Sequence, residues 1–224
     1  AIKKYVQLVF EANKTSKNFY LEKAMPPLVS KISGGFMRKP YLKFSSKTTD
    51  EVIRGLTKNE ELVKVLTAQY GDYGLPPKQS SFAIHAAVAR HYFSGGSFPI
   101  GGSTQIVDTI APVLAKSDST ILISADVQEV IIENNKAVGI RMADGKEFRG
   151  KKVISGAGIF TTYNKLIPKA TATKHKLEKQ LQKINPSVAH ICLYIGLKGS
   201  PEELKLPKAN YWIYPEKGTH DEVF

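Results

Sequence analysis

The chain has 224 residues, enough for one large or two small domains with a proper core, and its 42% hydrophobic and 23% charged content is ordinary for a globular protein. No apolar run nears the roughly 20 residues that cross a bilayer, and the start Ala1-Ile2-Lys3-Lys4 lacks the apolar core of a secretory signal, so the expectation is a cytoplasmic protein or one peripheral to a membrane. The single cysteine, Cys192, excludes an internal disulfide, while a net charge of +12 raises the question of an anionic partner.

In chain order, Ile2, Tyr5, Val6, Val9 and Phe10 recur at helical spacing and predict a helix to about Tyr20 with one buried face. Met25-Pro26-Pro27 ends it, and Ser33-Gly34-Gly35-Phe36 punctuates a further short element. Thr57-Lys58-Asn59-Glu60 reads as a capping box for a helix carrying Leu62, Val65 and Leu66. Another helix is expected over Phe82 to Phe93, and Leu75-Pro76-Pro77 and Ser94-Gly95-Gly96-Ser97 are the best joints.

From Gly101-Gly102 an amphipathic stretch with Ile106, Val107, Ile110 and Leu114 predicts a helix, for which Ser103 or Thr104 is a candidate cap. Residues 120–158 read as a β-meander whose strands hold Ile121, Ile123, Val127 and Val130–Ile132, with turns at Asn134-Asn135 and Asp144-Gly145. It ends in an apolar strand, Val153-Ile154-Ser155-Gly156-Ala157-Gly158. Beyond Thr171 a lysine-rich helix with Leu177, Leu181 and Ile184 on one face leads to a strand from Val188 to Leu197, which would bury Cys192 as a small hydrophobe. Tyr211-Trp212-Ile213-Tyr214 reads as its neighbour. The fold class expected is α+β, or mixed α/β.

The order of these pieces is more specific than any one of them. Tyr70-Gly71-Asp72-Tyr73-Gly74-Leu75-Pro76-Pro77, Ser81-Phe82-Ala83-Ile84-His85-Ala86, Phe98-Pro99-Ile100-Gly101-Gly102-Ser103, Asp126-Val127-Gln128-Glu129-Val130-Ile131, Ala137-Val138-Gly139-Ile140 and Val153–Gly158 follow one another here. In that order they resemble the FAD-dependent phytoene desaturase, carotenoid isomerase and retinol saturase-like enzymes. The likeness runs from about Glu60 to Leu166, with a weaker echo at Tyr194-Ile195-Gly196-Leu197. Members of that family open with a Gly-x-Gly-x-x-Gly turn holding the FAD pyrophosphate, and no such run occurs in this chain. They also close with a segment that returns to the flavin. The chain is therefore expected to be an internal piece of a longer flavoenzyme, inactive in isolation.

The resemblance implies a division into residues 1–97, a mainly helical part of the substrate domain; 98–168, an FAD-domain segment; and 169–224, a helix and strands of a mostly antiparallel substrate-domain sheet. It implies that Val127 sets its main chain against the adenine of FAD, that Gly101 and Gly102 pack beside the flavin, and that Ser155, Gly156 and Ala157 pass close to the dinucleotide. Read without the resemblance, the same residues are a tight turn, a core valine and a strand end that is no dinucleotide fingerprint. The implied substrate is a lipophilic polyene, carotenoid or retinoid-like, undergoing desaturation, saturation or isomerisation at carbon–carbon double bonds.

No catalytic acid or base can be named, which agrees with a flavin carrying the redox chemistry. The five histidines form no metal-type spacing, alone or with Cys192, so no metal site is expected. His85 either faces a substrate tunnel or is a satisfied, partly buried side chain. The lysines read as scattered, which favours a solvated surface first, anionic lipid headgroups second and nucleic acid third, and for want of any recognition motif no nucleic-acid partner is expected. Two other functions stay open: an amine oxidase-like flavoenzyme, and a noncatalytic basic module that binds a membrane surface or a protein.

Overall fold

A computed structural model describes residues 1–185 and 189–224. These form two compact units, one of residues 1–97 with 189–224, the other of residues 98–185.

The first unit is helical. Helix α1 (Ile2–Ala24) lies against α2 (Pro27–Ser45) and α5 (Phe82–Tyr92), with the short α3 (Thr49–Arg54) and α4 (Glu60–Thr67) and a 3-10 turn (Ala68–Asp72) filling the connection. Tyr5, Val9 and Ala12 of α1, Tyr41 and Phe44 of α2, and Phe82, Ala83, Ala86 and Ala89 of α5 share one core with Ile53 and Val63. The alanines of α5 let the neighbouring backbones approach, and the Asn13 amide bridges α1 to α5 by donating to the carbonyls of Val9 (2.9 Å) and Ala86 (2.8 Å).

Gly34 and Gly35 do not interrupt α2, contrary to the punctuation expected there: the helix runs through both. Gly34 marks the close approach of α2 to buried Glu22 of α1, since a Cβ there would stand 2.7 Å from Glu22 Oε1 and 2.8 Å from Arg38 Nη2. Ser30 Oγ donates to Glu22 Oε1, and Arg38 Nε lies 3.7 Å from Oε2. The capping box expected at Thr57–Glu60 is not formed; α4 starts at Asn59, whose side chain accepts from Leu62 N–H at 3.0 Å. Capping boxes occur instead at Thr48/Glu51 and at Thr219/Glu222, which opens helix α10 (His220–Val223).

In the second unit, α6 (Thr104–Ala115) precedes a three-stranded antiparallel meander, β1 (Val127–Glu133), β2 (Lys136–Met142) and β3 (Glu147–Arg149), in the order β1-β2-β3. Its register pairs Val127 with Met142, Val130 with Ile140 and Ile140 with Phe148. Asn134 and Asn135 adopt φ of 49° and 63°, and Gly145 adopts 84°, the left-handed backbone that these tight turns need. Arg141 and Arg149 tie Glu129, Glu133 and Glu147 across the strands. Val130, Ile131 and Met142 are buried, and β1 packs on a π-helical turn (Thr162–Leu166) that follows α7 (Ile159–Thr161). The lysine-rich helix is two, α8 (Lys169–Lys174) and α9 (Leu177–Leu181), separated where Lys176 turns to φ 54°.

The architecture is mixed α+β, with helices predominating and one small antiparallel sheet. Three expected strands are not formed among the described residues. Ile121 and Ile123, and all of Val153–Gly158, lie outside the sheet. Residues 189–197 and 211–214 form no strand either, so the second antiparallel sheet is not present among the described residues. Val188, the expected start of one strand, lies outside the described residues. Alternation alone does not make a strand, because an unpaired one leaves its amides and carbonyls without partners. In consequence Cys192 is exposed rather than packed.

Candidate functional site

All six residues singled out for cofactor contact fall in the second unit, and the structure distributes them over three places. Gly101 and Gly102 form a tight turn ahead of α6, with Gly102 N–H donating to Pro99 O at 3.0 Å. Both adopt positive φ, 90° and 86°, which explains the glycine pair. Neither Ser103 nor any other side chain caps the helix. Helix α6 buries none of its residues, so Ile106, Val107, Ile110 and Val113 stand exposed.

Val127 is half-buried at the first position of β1, opposite Met142. Beside it lies a hollow of about 300 Å³ lined in part by Ile123, Ala125, Asp126, Met142, Lys146 and Phe148. Ala143 N–H donates to Asp126 O at 2.9 Å, fixing the strand entry. β1 is an edge strand of its sheet, so one row of its main-chain groups has no strand partner there.

Ser155 and Gly156 border a second hollow of about 360 Å³ with Gly158, Ile159, Thr162 and Tyr163; Ala157 lies between them in sequence. The Ser155 and Thr162 hydroxyls are 2.7 Å apart, and Thr162 N–H donates to Gly158 O at 3.0 Å. A Cβ on Gly156 or Gly102 would meet no atom within 4 Å, whereas one on Gly139 would strike Phe148 O. The two hollows share no lining residue. The chain lacks the Gly-x-Gly-x-x-Gly fingerprint that holds a flavin dinucleotide's pyrophosphate.

In the first unit, His85 is buried and satisfied at both ring nitrogens, by the hydroxyls of Tyr5 (2.9 Å) and Tyr73 (3.0 Å). It faces no tunnel. Burial pulls its pKa down to about 4 and pushes that of Tyr5 up to about 12. The aromatic run near the C-terminus, although not a strand, does line a hollow: Trp212 and Tyr214 enclose about 230 Å³ with Val65, Ala68, His220 and Val223. Tyr214 donates to Ala68 O, and the His220 Nε2 and Lys64 O atoms are 2.9 Å apart. Sequence reading could not supply the other wall of this hollow, which lies some 150 residues away. Among the described residues no group of three or more His, Cys, Asp or Glu converges as a metal site, and no helix is long and apolar enough to cross a membrane.

The chain belongs to the flavin containing amine oxidoreductase family, whose pattern matches residues 28–213. It is similar to the all-trans-retinol 13,14-reductase of Danio rerio, 34% identical over an alignment that covers 96% of this chain and 37% of that protein. The Homo sapiens all-trans-retinol 13,14-reductase is 32% identical over 95% of this chain and 36% of its own length. The chloroplastic prolycopene isomerase of Daucus carota is 28% identical over 74% and 28%. The chain thus spans little more than a third of the retinol reductases it matches. The family expected from motif order is the one found.

Proposed function

We propose that the chain is part of an FAD-dependent oxidoreductase acting on a polyene, retinoid or carotenoid-like, by saturating, desaturating or isomerising its carbon–carbon double bonds. The observation that carries this is the match, over nearly the whole chain, to a retinol reductase, joined by a prolycopene isomerase. When bound, FAD would supply hydride transfer or double-bond rearrangement. This chain's residues would place it: the main chain of Val127 against the adenine, Gly101 and Gly102 beside the flavin, and Ser155, Gly156 and Ala157 along the dinucleotide. The aromatic hollow of Trp212 and Tyr214 offers an apolar wall for a lipophilic substrate, drawn from a membrane that the protein touches peripherally.

The test is made on the full-length protein that carries this chain. It is expected to purify with a flavin absorbance and to convert retinol or a carotenoid. Gly156→Leu fills space empty in this chain, so it is expected to lower FAD occupancy about tenfold with unchanged thermal stability. A fully folded, colourless protein that rejects FAD would leave the noncatalytic module standing. A coloured protein that turns over amines and no polyene would establish the amine oxidase reading, which the family's description favours.

A further inference from the structure

Helix α2 has two apolar faces. The inner one buries Gly34, Tyr41 and Phe44. On the outer one Leu28, Ile32 and Phe36, four residues apart and hence in line, are 72%, 80% and 87% exposed. Lys39 and Lys43 continue that line toward the C-terminus, Lys31 borders it, and Val29 is exposed beside its start. Between Glu11 and Asp50 stand eight Lys or Arg residues and one acid, Glu22. Glu22 is buried and engaged by Ser30, Lys23 and Arg38, so it offers nothing to the surface. α2 itself carries Lys31, Arg38, Lys39 and Lys43 and no acid, and an exposed apolar ridge on such a helix is not a solvated lysine surface.

We propose that the outer face of α2 docks on a membrane rich in anionic headgroups, with Leu28, Ile32 and Phe36 entering the acyl boundary and the lysines reaching back to the headgroups. Charge complementarity selects this occupant: a second copy of the chain would set two positive patches face to face. α2 is not apolar enough to span, so it lies along the surface. The assignment rests on the peripheral membrane contact proposed above and is independent of flavin binding.

The full-length protein is tested by co-sedimentation with vesicles of phosphatidylcholine, with and without about 30% phosphatidylserine. Binding is expected on the anionic vesicles, weaker at high salt. Ile32→Ser and Phe36→Ser should each weaken it about tenfold, and Lys39→Gln and Lys43→Gln about fivefold each. Lys151→Gln and Lys152→Gln should leave it unchanged. All these side chains are exposed, so the variants should keep their melting temperature, and flavin absorbance read in parallel separates loss of docking from loss of the flavin reading. Wild-type binding by the Ile32/Phe36 double variant would overturn the proposal. So would an Ile32→Cys thiol, in a Cys192→Ser background, that stays inert to maleimide without vesicles, since the face would then already be covered by protein.

Discussion

The hydroxyl of Tyr5 lies 2.9 Å from Nε2 of His85, joining helices α1 and α5 through the buried end of a ring whose other nitrogen meets Tyr73. Burial holds that ring neutral: its pKa falls from 6.5 to about 4. Between those values the unfolded chain binds the proton and the folded chain does not, so stability is full above pH 6.5 and declines as pH falls toward 4. The decline should reach at most on the order of 3 kcal/mol. Urea midpoints followed by the fluorescence of Trp212, the single tryptophan, should show it, and His85→Gln should flatten it. Glu22 acts in a lower window: the Ser30 hydrogen bond, aided by Lys23 and Arg38, holds its carboxyl below the ordinary 4.5, so its contribution is lost only on stronger acidification. A wild-type midpoint constant from pH 6.5 to 4 would refute the account.

Adjacent glycines in α2 should respond oppositely to alanine. Gly35 has nothing within 4 Å of its added Cβ, so Gly35→Ala should stabilise by about 0.5–1 kcal/mol. Gly34→Ala must push aside Glu22 and Arg38, an ion pair around a buried carboxylate whose Oε2 accepts no hydrogen bond among the described residues. It should lose that gain and cost about 1 kcal/mol net. Thermal melts of the two variants decide it; equal shifts would show that the α1–α2 contact yields freely.

The meander turns give a third contrast. Gly145→Val places a β-branched residue at φ 84° and should cost about 1–3 kcal/mol. Asn134→Gly should be close to neutral, because glycine adopts the same backbone without strain. Far-ultraviolet circular dichroism on heating measures both, and a Gly145→Val protein as stable as wild type would mean that this turn is not held as described.

Cap positions can be ranked the same way. Thr48→Ala removes an acceptor for Glu51 N–H (3.2 Å) at the start of α3 and should cost about 1 kcal/mol. Asn59→Ala should cost a similar amount, and Thr57→Ala only a few tenths, since its hydroxyl accepts from Asn59 N–H outside the helix. Denaturant midpoints of the three variants check the order, which the Thr57 capping box would reverse.

What could be read from the chain was local. The stripe of α1, the extent of α5 and α6, and both hairpin turns follow from spacing and turn chemistry within a few residues. The run of α2 through Gly34-Gly35 did not, because tertiary contact with Glu22 outweighs the local preference of glycine. Strands at Val153–Gly158, 189–197 and 211–214 were read from alternation, but a strand is made by its neighbour, and no neighbour stands there among the described residues. For the site, motif order identified the family, since order survives where single residues do not. The Tyr5–His85–Tyr73 cluster and the hollow around Trp212 join distant positions and left no local signature. The lysines looked scattered along the sequence, and only the length of α2 brings Lys31, Lys39 and Lys43 alongside one ridge.

Cys192, unique and exposed, sits amid Ile191, Leu193 and Ile195, all of them uncovered. A maleimide dye attached there would mark every molecule once and at a known place. Its change in brightness would time the enclosure of that greasy stretch by whatever comes to shelter it.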